Sequence, residues 1–340
     1  MTTRRPLRVQ TPADLLAVVP FVLGFHPEDS LVLLTADGDA RQMHARIDLP
    51  QDEDGVVEVT ARLLAAVSRS GARGVALVAY TDDRCLALEV VSRLGDRLAE
   101  EGVRVLGAIR ADGERWFSLD CDDSCCPPEG TTYDVRAHPV TAASVLEGRV
   151  TYRSRRELAD SLVGSDPDAT EAVAEAADEA MRRFRASERT PLGASDADGP
   201  RRYLVAEGQW VRDRIARYVT GREPLDPEDV GRLVVAMVNI EVRDVAWAAI
   251  TRSDARTHVE LWSDVVRRTP LDLSAAPAAL LGFAAWLAGE GALAWCAVDR
   301  CQEAEPDYTL AALLTDALAS AMDPARWENL PVEALTLFGT

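Results

Sequence analysis

The apolar positions of the first 140 residues change period several times, and each change marks an element. Thr11-Pro12-Ala13-Asp14 opens a helix, with Thr11 as N-cap, Pro12 at the first helical position and Asp14 near the exposed amides. The apolar run behind it predicts a helix to about Leu23, stopped by Gly24 and bent or shortened by Pro20. "SLVLLTADG" reads as a strand and Asp37-Gly38 as a hairpin turn. The return strand alternates, with Met43, Ala45, Ile47 and Leu49 on one side and His44, Arg46 and Asp48 on the other. Val56, Val59, Leu63 and Val67 then recur at helical spacing up to Gly71. "GVALVAY" is a continuous apolar run, the mark of a strand buried on both faces. Asp82 and Asp83 cap the next helix, whose inner stripe is Leu86, Val90, Leu94 and Leu98 before a stop at Gly102. "VRVLGAI" and "RWFSLDC" are two more strands, joined through Asp112-Gly113. This order predicts an α/β N-terminal domain with a mixed sheet over residues 1–140.

Beyond Pro139 the strand signals stop, and an all-α helical C-terminal domain is expected. Residues 157–162 and 169–184 look helical, the latter with acids early and arginines late, which suits the helix dipole. "SERTPLGASDADGP" (187–200) has linker composition, so residues 141–200 read as a helical connector and linker, and 201–340 as the helical domain. Pro227 starts one helix behind Asp226, and Pro270 and Pro306 punctuate others. Small residues repeat with that last spacing: Ala246 corresponds to Gly282 and Ala249 to Ala285, while Trp262 matches Val298. The second copy, around Gly282, Gly289, Ala294 and Pro306, resembles a tetratricopeptide repeat, although Cys301 and Ala278 stand where that pattern has alanine and tryptophan. One good copy and one poor one predict a helical bundle containing a tetratricopeptide-like hairpin.

Charge and cysteine usage narrow the partners. A formal net charge of −19 works against nucleic acid and anionic membrane surfaces. The arginines at 149, 153, 155 and 156 cluster, but Glu157 and Asp160 follow at helical spacing and make this a solvated helix face. The longest uncharged apolar run, Leu15 to Phe25, is too short to span a bilayer. Arg4 and Arg5 precede it as in a signal peptide, yet "GFHPEDS" follows where a small-residue cleavage site belongs. Six cysteines without even spacing do not make a secreted disulfide framework, so a cytoplasmic protein with reduced thiols is expected.

"DLLAVVPFVLGFHPEDSLVLL" and "CDDSCCPPEG", with "RDVAWAAI" and "GEGALAWCAVDRCQEAEPDYTLAALL", carry a family resemblance. The chain resembles, over nearly its whole length, the actinobacterial family catalogued as domain of unknown function 4192. The resemblance implies no catalytic residue, cofactor or partner.

Candidate chemistry concentrates in three stretches, because ligands gather outside the carboxyl ends of parallel strands. Asp82 and Asp83 follow the most buried strand, and one of them suffices as a helix cap. His26 in "HPEDS" is a candidate ligand or base, with a purely structural turn as its alternative. "LDCDDSCCPPEG" (119–130) holds Cys121, Cys125 and Cys126, which with His26, His138 or an aspartate could surround zinc. Structural thiols are the favoured alternative, and redox-active thiols are a further one. Cys85, at a helix start, is a packed thiol or a nucleophile needing His26, His44 or His138 as base. Walker, dinucleotide-binding, nucleophile-elbow and zincin motifs are absent. Two readings follow, so enzymatic activity stays undecided. One is a non-catalytic binding and regulatory protein, taking a small ligand in the α/β domain and a protein partner on the helical domain. The other is a metal-dependent hydrolase built on Cys121, Cys125, Cys126 and His26 or Asp82.

Overall fold

The computed structural model of the chain describes residues 9–36, 43–121, 126–146, 150–189 and 199–338, without the side chains of 144–146 and 187–189. The Asp37-Gly38 turn, Cys125, Arg149 and linker positions 190–198 lie outside the described residues. Residues 1–155 and 156–340 form two compact units.

The first unit runs α1 (Pro12–Leu23), β1 (Ser30–Ala36), β2 (His44–Asp48), α2 (Glu53–Ser70), β3 (Gly74–Tyr80), α3 (Arg84–Glu100), β4 (Arg104–Ala111), β5 (Arg115–Ser118), β6 (Thr131–Thr132) and α4 (Pro139–Leu146). Strand order in the six-stranded sheet is β2-β1-β3-β4-β5-β6. Only β3 and β4 pair in parallel, with α3 as their crossover; every other neighbouring pair is antiparallel. The sheet is therefore mixed, and helices cover both faces.

Alternation along β1 decides the layers. Leu31 and Leu33 join Val75, Leu77 and Ala79 of β3 under the apolar stripes of α2 and α3. Val32 and Leu34 face the other way and pack with Val78, Tyr80 and Ile109 beneath Leu15, Leu16 and Val19 of α1. At the start of α1, Asp14 N–H donates to Thr11 Oγ1 at 3.1 Å and Thr11 N–H donates to Asp14 Oδ2 at 2.9 Å, a reciprocal capping box. Gly24 closes the helix at φ 80°, which only glycine adopts without strain. The helix runs through Pro20 instead of ending there, because residues 15–20 are all buried and that packing outweighs one missing backbone bond.

The second unit continues with α5 (Arg155–Asp160), which starts one residue inside the first, and then α6 (Pro167–Arg189), α7 (Gly199–Gly221), α8 (Pro227–Ala236), α9 (Ile240–Ala248), α10 (Ala255–Arg268), α11 (Ala275–Ala288), α12 (Gly291–Ala304) and α13 (Thr309–Ala319). Arg156 and Asp160 pair across one turn of α5 at 3.9 Å, both exposed, as expected of a solvated face. α11 is the centre of this unit, buried from Ala275 to Leu287 and packed between α10 and α12. A Cβ on Gly282 would lie 3.4 Å from the Ala294 carbonyl oxygen, so α11 and α12 approach closely there. Phe283 and Trp286 of α11 form a ring cluster with Trp247 and Trp327, at centroid distances from 5.2 to 6.4 Å. Among the described residues no helix is long and apolar enough to cross a membrane.

Candidate functional site

Register places three turns at one end of the sheet. Ser30 of β1 pairs with Tyr80 of β3, and Tyr80 pairs with Ala111 of β4. The turn His26–Asp29 enters this row, Thr81–Asp83 leaves it, and the Asp112-Gly113 turn leaves beside it. His26, Asp82 and Asp83 thus share the end at which the parallel pair terminates. Cys121 does not. β5 runs antiparallel to β4, Leu119 N–H donates to Ala108 O at 2.9 Å, and the chain continues toward the amino end of β4. Asp120 extends that ladder with its side chain, taking the Ala108 N–H at 3.0 Å and the Ser118 hydroxyl at 2.8 Å. Cys121 and Cys126 are half-buried, and Cys125 lies outside the described residues. Among the described residues no three His, Cys, Asp or Glu side chains gather as a metal site.

Each flank of the row is held rigidly. His26 N–H donates to Tyr152 O at 3.0 Å, and Arg46 donates to Glu28 O at 3.4 Å while pairing with Asp48 at 2.6 Å. Partial burial and the nearby Arg136 charge both push the His26 imidazole below its ordinary pKa, so it is neutral at pH 7. Asp83 is the N-cap of α3, its carboxylate accepting from Leu86 N–H at 3.0 Å. Asp82 caps nothing and is exposed, as is Cys85.

The residue that distinguishes this end is Arg110, which sequence reading placed just beyond its strand. It lies within β4, only 7% exposed, on the face opposite α1. Its Nη1 donates to Thr81 O at 2.9 Å and Asp82 O at 3.4 Å, and its guanidinium carbon sits 3.9 Å from the centre of the Phe117 ring. Nε is buried with no acceptor. Among the described residues no carboxylate pairs with Arg110, although ion pairs hold other buried arginines such as Arg214 and Arg243. On the α1 side of the same row, the Ser30 and Tyr80 hydroxyls are also buried without partners. Burial, reinforced by Tyr133, keeps the Tyr80 phenol far above its usual pKa and therefore protonated.

The other two histidines of the first unit have different settings. Val140 N–H donates to His138 Nδ1 at 3.3 Å, so His138 carries its proton on Nε2 and donates it to Asp14 Oδ1 at 3.0 Å. With both nitrogens engaged, His138 ties α4 to α1 and has no lone pair left for a metal or a substrate proton. His44 is held at a pKa of about 4 by burial. Burial would raise the Asp14 carboxyl, but the Gln10 and Thr11 N–H groups, the Thr11 hydroxyl and His138 outweigh it and hold the carboxyl below its ordinary value. A carboxylate with a depressed folded-state pKa stabilises the fold above its unfolded pKa and loses that contribution as pH falls through the folded value. Asp14→Asn is expected to cost about 1 kcal/mol at pH 7. That difference should shrink toward zero below about pH 4, as read from urea midpoints across the acid range.

In the second unit a pocket of about 200 Å³ is lined by Phe184, Tyr203, Leu204, Glu207, Arg232 and Val242, among others. Here the charges satisfy one another. Arg232 donates twice to Glu207, at 3.0 and 2.9 Å, and stacks 4.0 Å over Trp210. The contrast with the uncompensated Arg110 is chemical, since a closed ion pair makes no demand on a ligand.

The domain profile described as "Domain of unknown function (DUF4192)" matches residues 12–325. The chain belongs to the DUF4192 family. The match takes in the whole candidate row and most of the helical unit of this DUF4192 protein. No curated protein and no solved structure shows significant similarity to it.

Proposed function

We propose that this DUF4192 protein is a non-catalytic binding and regulatory protein. Its α/β unit takes a small ligand at the Ser30–Tyr80–Ala111 row, and its helical unit presents a surface to a protein partner. One observation carries the ligand half: three turns meet at the carboxyl end of the parallel pair, where a buried guanidinium has no carboxylate and no acceptor for its Nε, and two buried hydroxyls lack partners. Sheet ends of this kind are where α/β proteins receive ligands. The partner half is supported by the α11–α12 hairpin, whose Gly282–Ala294 approach and Gly289 turn at φ 78° suit a tetratricopeptide-like pair. No observation among the described residues favours the metal-assisted hydrolase over this reading.

Hydrogen exchange on the full chain tests the ligand half. Compounds that raise the melting temperature should slow exchange at residues 80–86 and 26–30. Protection confined to other segments, for every stabilising compound of any charge class, overturns the proposal. Cross-links from a bound partner that fall only on residues 1–155 overturn the partner half.

A further inference from the structure

Arg110 states what kind of ligand the row lacks. A guanidinium cannot shed its proton to escape burial, as a lysine or histidine can. Burying a charge without a counter-charge is among the most costly arrangements a fold can hold. Stacking on Phe117 offsets part of that cost, and two carbonyl oxygens offset more. Neither supplies negative charge. The chain is strongly acidic overall, with 56 Asp and Glu against 37 Lys and Arg, yet among the described residues no acid is spent on this cation.

The backbone beside Arg110 points the same way. The carbonyls it holds belong to Thr81 and Asp82, immediately before the start of α3. Within that first turn Leu86 N–H is taken by the Asp83 carboxylate and Ala87 N–H by the Asp83 carbonyl. The N–H groups of Arg84 and Cys85 have no acceptor among the described residues. The helix carries no acid in its first turn proper, so its positive dipole end is opposed only by the capping Asp83 and by Asp82 ahead of it.

We propose that the ligand of this row is an oxyanion, a phosphate ester or a carboxylate, held by the Arg110 guanidinium and the leading amides of α3. This rests on the row being a ligand site. The anion brings the charge that Arg110 lacks, and the amides of Arg84 and Cys85 close on its other oxygens. Asp82 is the antagonist in the same turn: its exposed carboxylate repels the incoming charge and limits affinity.

Titration of the full-length protein with inorganic phosphate and, separately, with citrate tests this, with ionic strength held constant by chloride. Saturable binding of either at roughly millimolar concentrations is expected. Phosphate alone identifies the tetrahedral class, citrate alone the carboxylate class. Arg110→Lys keeps the charge and loses the fork, and should weaken binding roughly tenfold. Asp82→Asn lies on the surface and should strengthen it roughly threefold by removing one repelling charge. The two variants moving affinity in opposite directions is a result that a purely structural Arg110 would not give. Absence of saturable binding by both anions overturns the proposal, as does affinity unchanged in both variants. If a neutral or cationic compound then protects residues 80–86, the ligand site stands and only the oxyanion falls.

Discussion

Arg214→Met is expected to cost the helical unit about 3–5 kcal/mol, more than any surface change in the chain. Arg214 is 1% exposed, the most deeply buried charge among the described residues. From α7 its Nε donates to Asp229 Oδ2 at 2.6 Å, in the first turn of α8. Its other nitrogens reach the carbonyls of Glu223 and Pro224 in the loop between the two helices. One side chain therefore closes a helix, a loop and the next helix start. Methionine fills the volume but leaves Asp229 and two carbonyls without donors, and the penalty of unpaired polar groups far exceeds what the pair itself contributes. At roughly 2–4 °C per kcal/mol for a unit of this size, the melting temperature should drop by about 10 °C. Asp229→Ala alone should cost at least as much, because it strands a guanidinium that is 1% exposed, whereas Arg214→Met strands a carboxylate that is 23% exposed and still reaches water. The double variant should be less damaging than the sum of the singles by about 1–3 kcal/mol. Urea unfolding of the four proteins measures this cycle, and a loss under 1 kcal/mol for Arg214→Met would show that the cluster is incidental.

Arg214 also shows where sequence reading stops. The α/β half was legible because its signals are local. Thr11 and Gly24 bracket α1 at the residues observed, and the alternation of Leu31 and Leu33 with Val32 and Leu34 assigns the two faces of the sheet. The inner stripes of α2 and α3 follow the same logic. What failed were the places where a polar residue does a backbone's or a core residue's work. β5 reads as running to Cys121, but it ends at Ser118 because the Asp120 carboxylate takes over the ladder. β4 reads as ending at Ile109, since a charge follows, whereas it continues through Arg110 to Ala111. β6 is two residues long and has no period to detect. In α7 the buried stripe is Glu207, Gly208, Val211, Arg214 and Ile215, so two of its five members look like solvent-facing charges. Spacing was the available signal: Arg214 follows Val211 by three and precedes Ile215 by one. The candidate row was legible in part, through His26 and Asp82, because ligand sites follow from strand direction. Its decisive residue depended on register across three strands, which a single sequence does not display.

Gly231→Ala sets two effects of opposite sign against each other, and the close crossing of α6 and α8 is expected to win. Gly231 lies inside α8, where alanine is intrinsically better by about 1 kcal/mol and where glycine would ordinarily be a weakness. A Cβ there would come 2.6 Å from the Ala177 nitrogen and 2.7 Å from the Ala176 carbonyl carbon of α6. Those are backbone atoms of another helix, and they cannot rotate aside as a side-chain tip does. Relief requires the two helices to separate along their length, opening contacts at Val173, Ala177 and Ala180, all buried. Overpacking of this kind costs about 1–3 kcal/mol and more where backbone must move, so a net loss of roughly 2 kcal/mol remains after the propensity gain. The control is in the same chain. Gly95 is inside α3, and a Cβ there meets nothing nearer than Val105 Cγ2 at 3.9 Å. Gly95→Ala should therefore raise stability by roughly 0.5–1 kcal/mol. Trimming Ala176 to glycine should not rescue Gly231→Ala fully, since the obstructing atoms include main chain. Chemical denaturation of the three variants separates the effects, and equal gains at Gly95 and Gly231 would mean that the helix crossing is looser than these distances require.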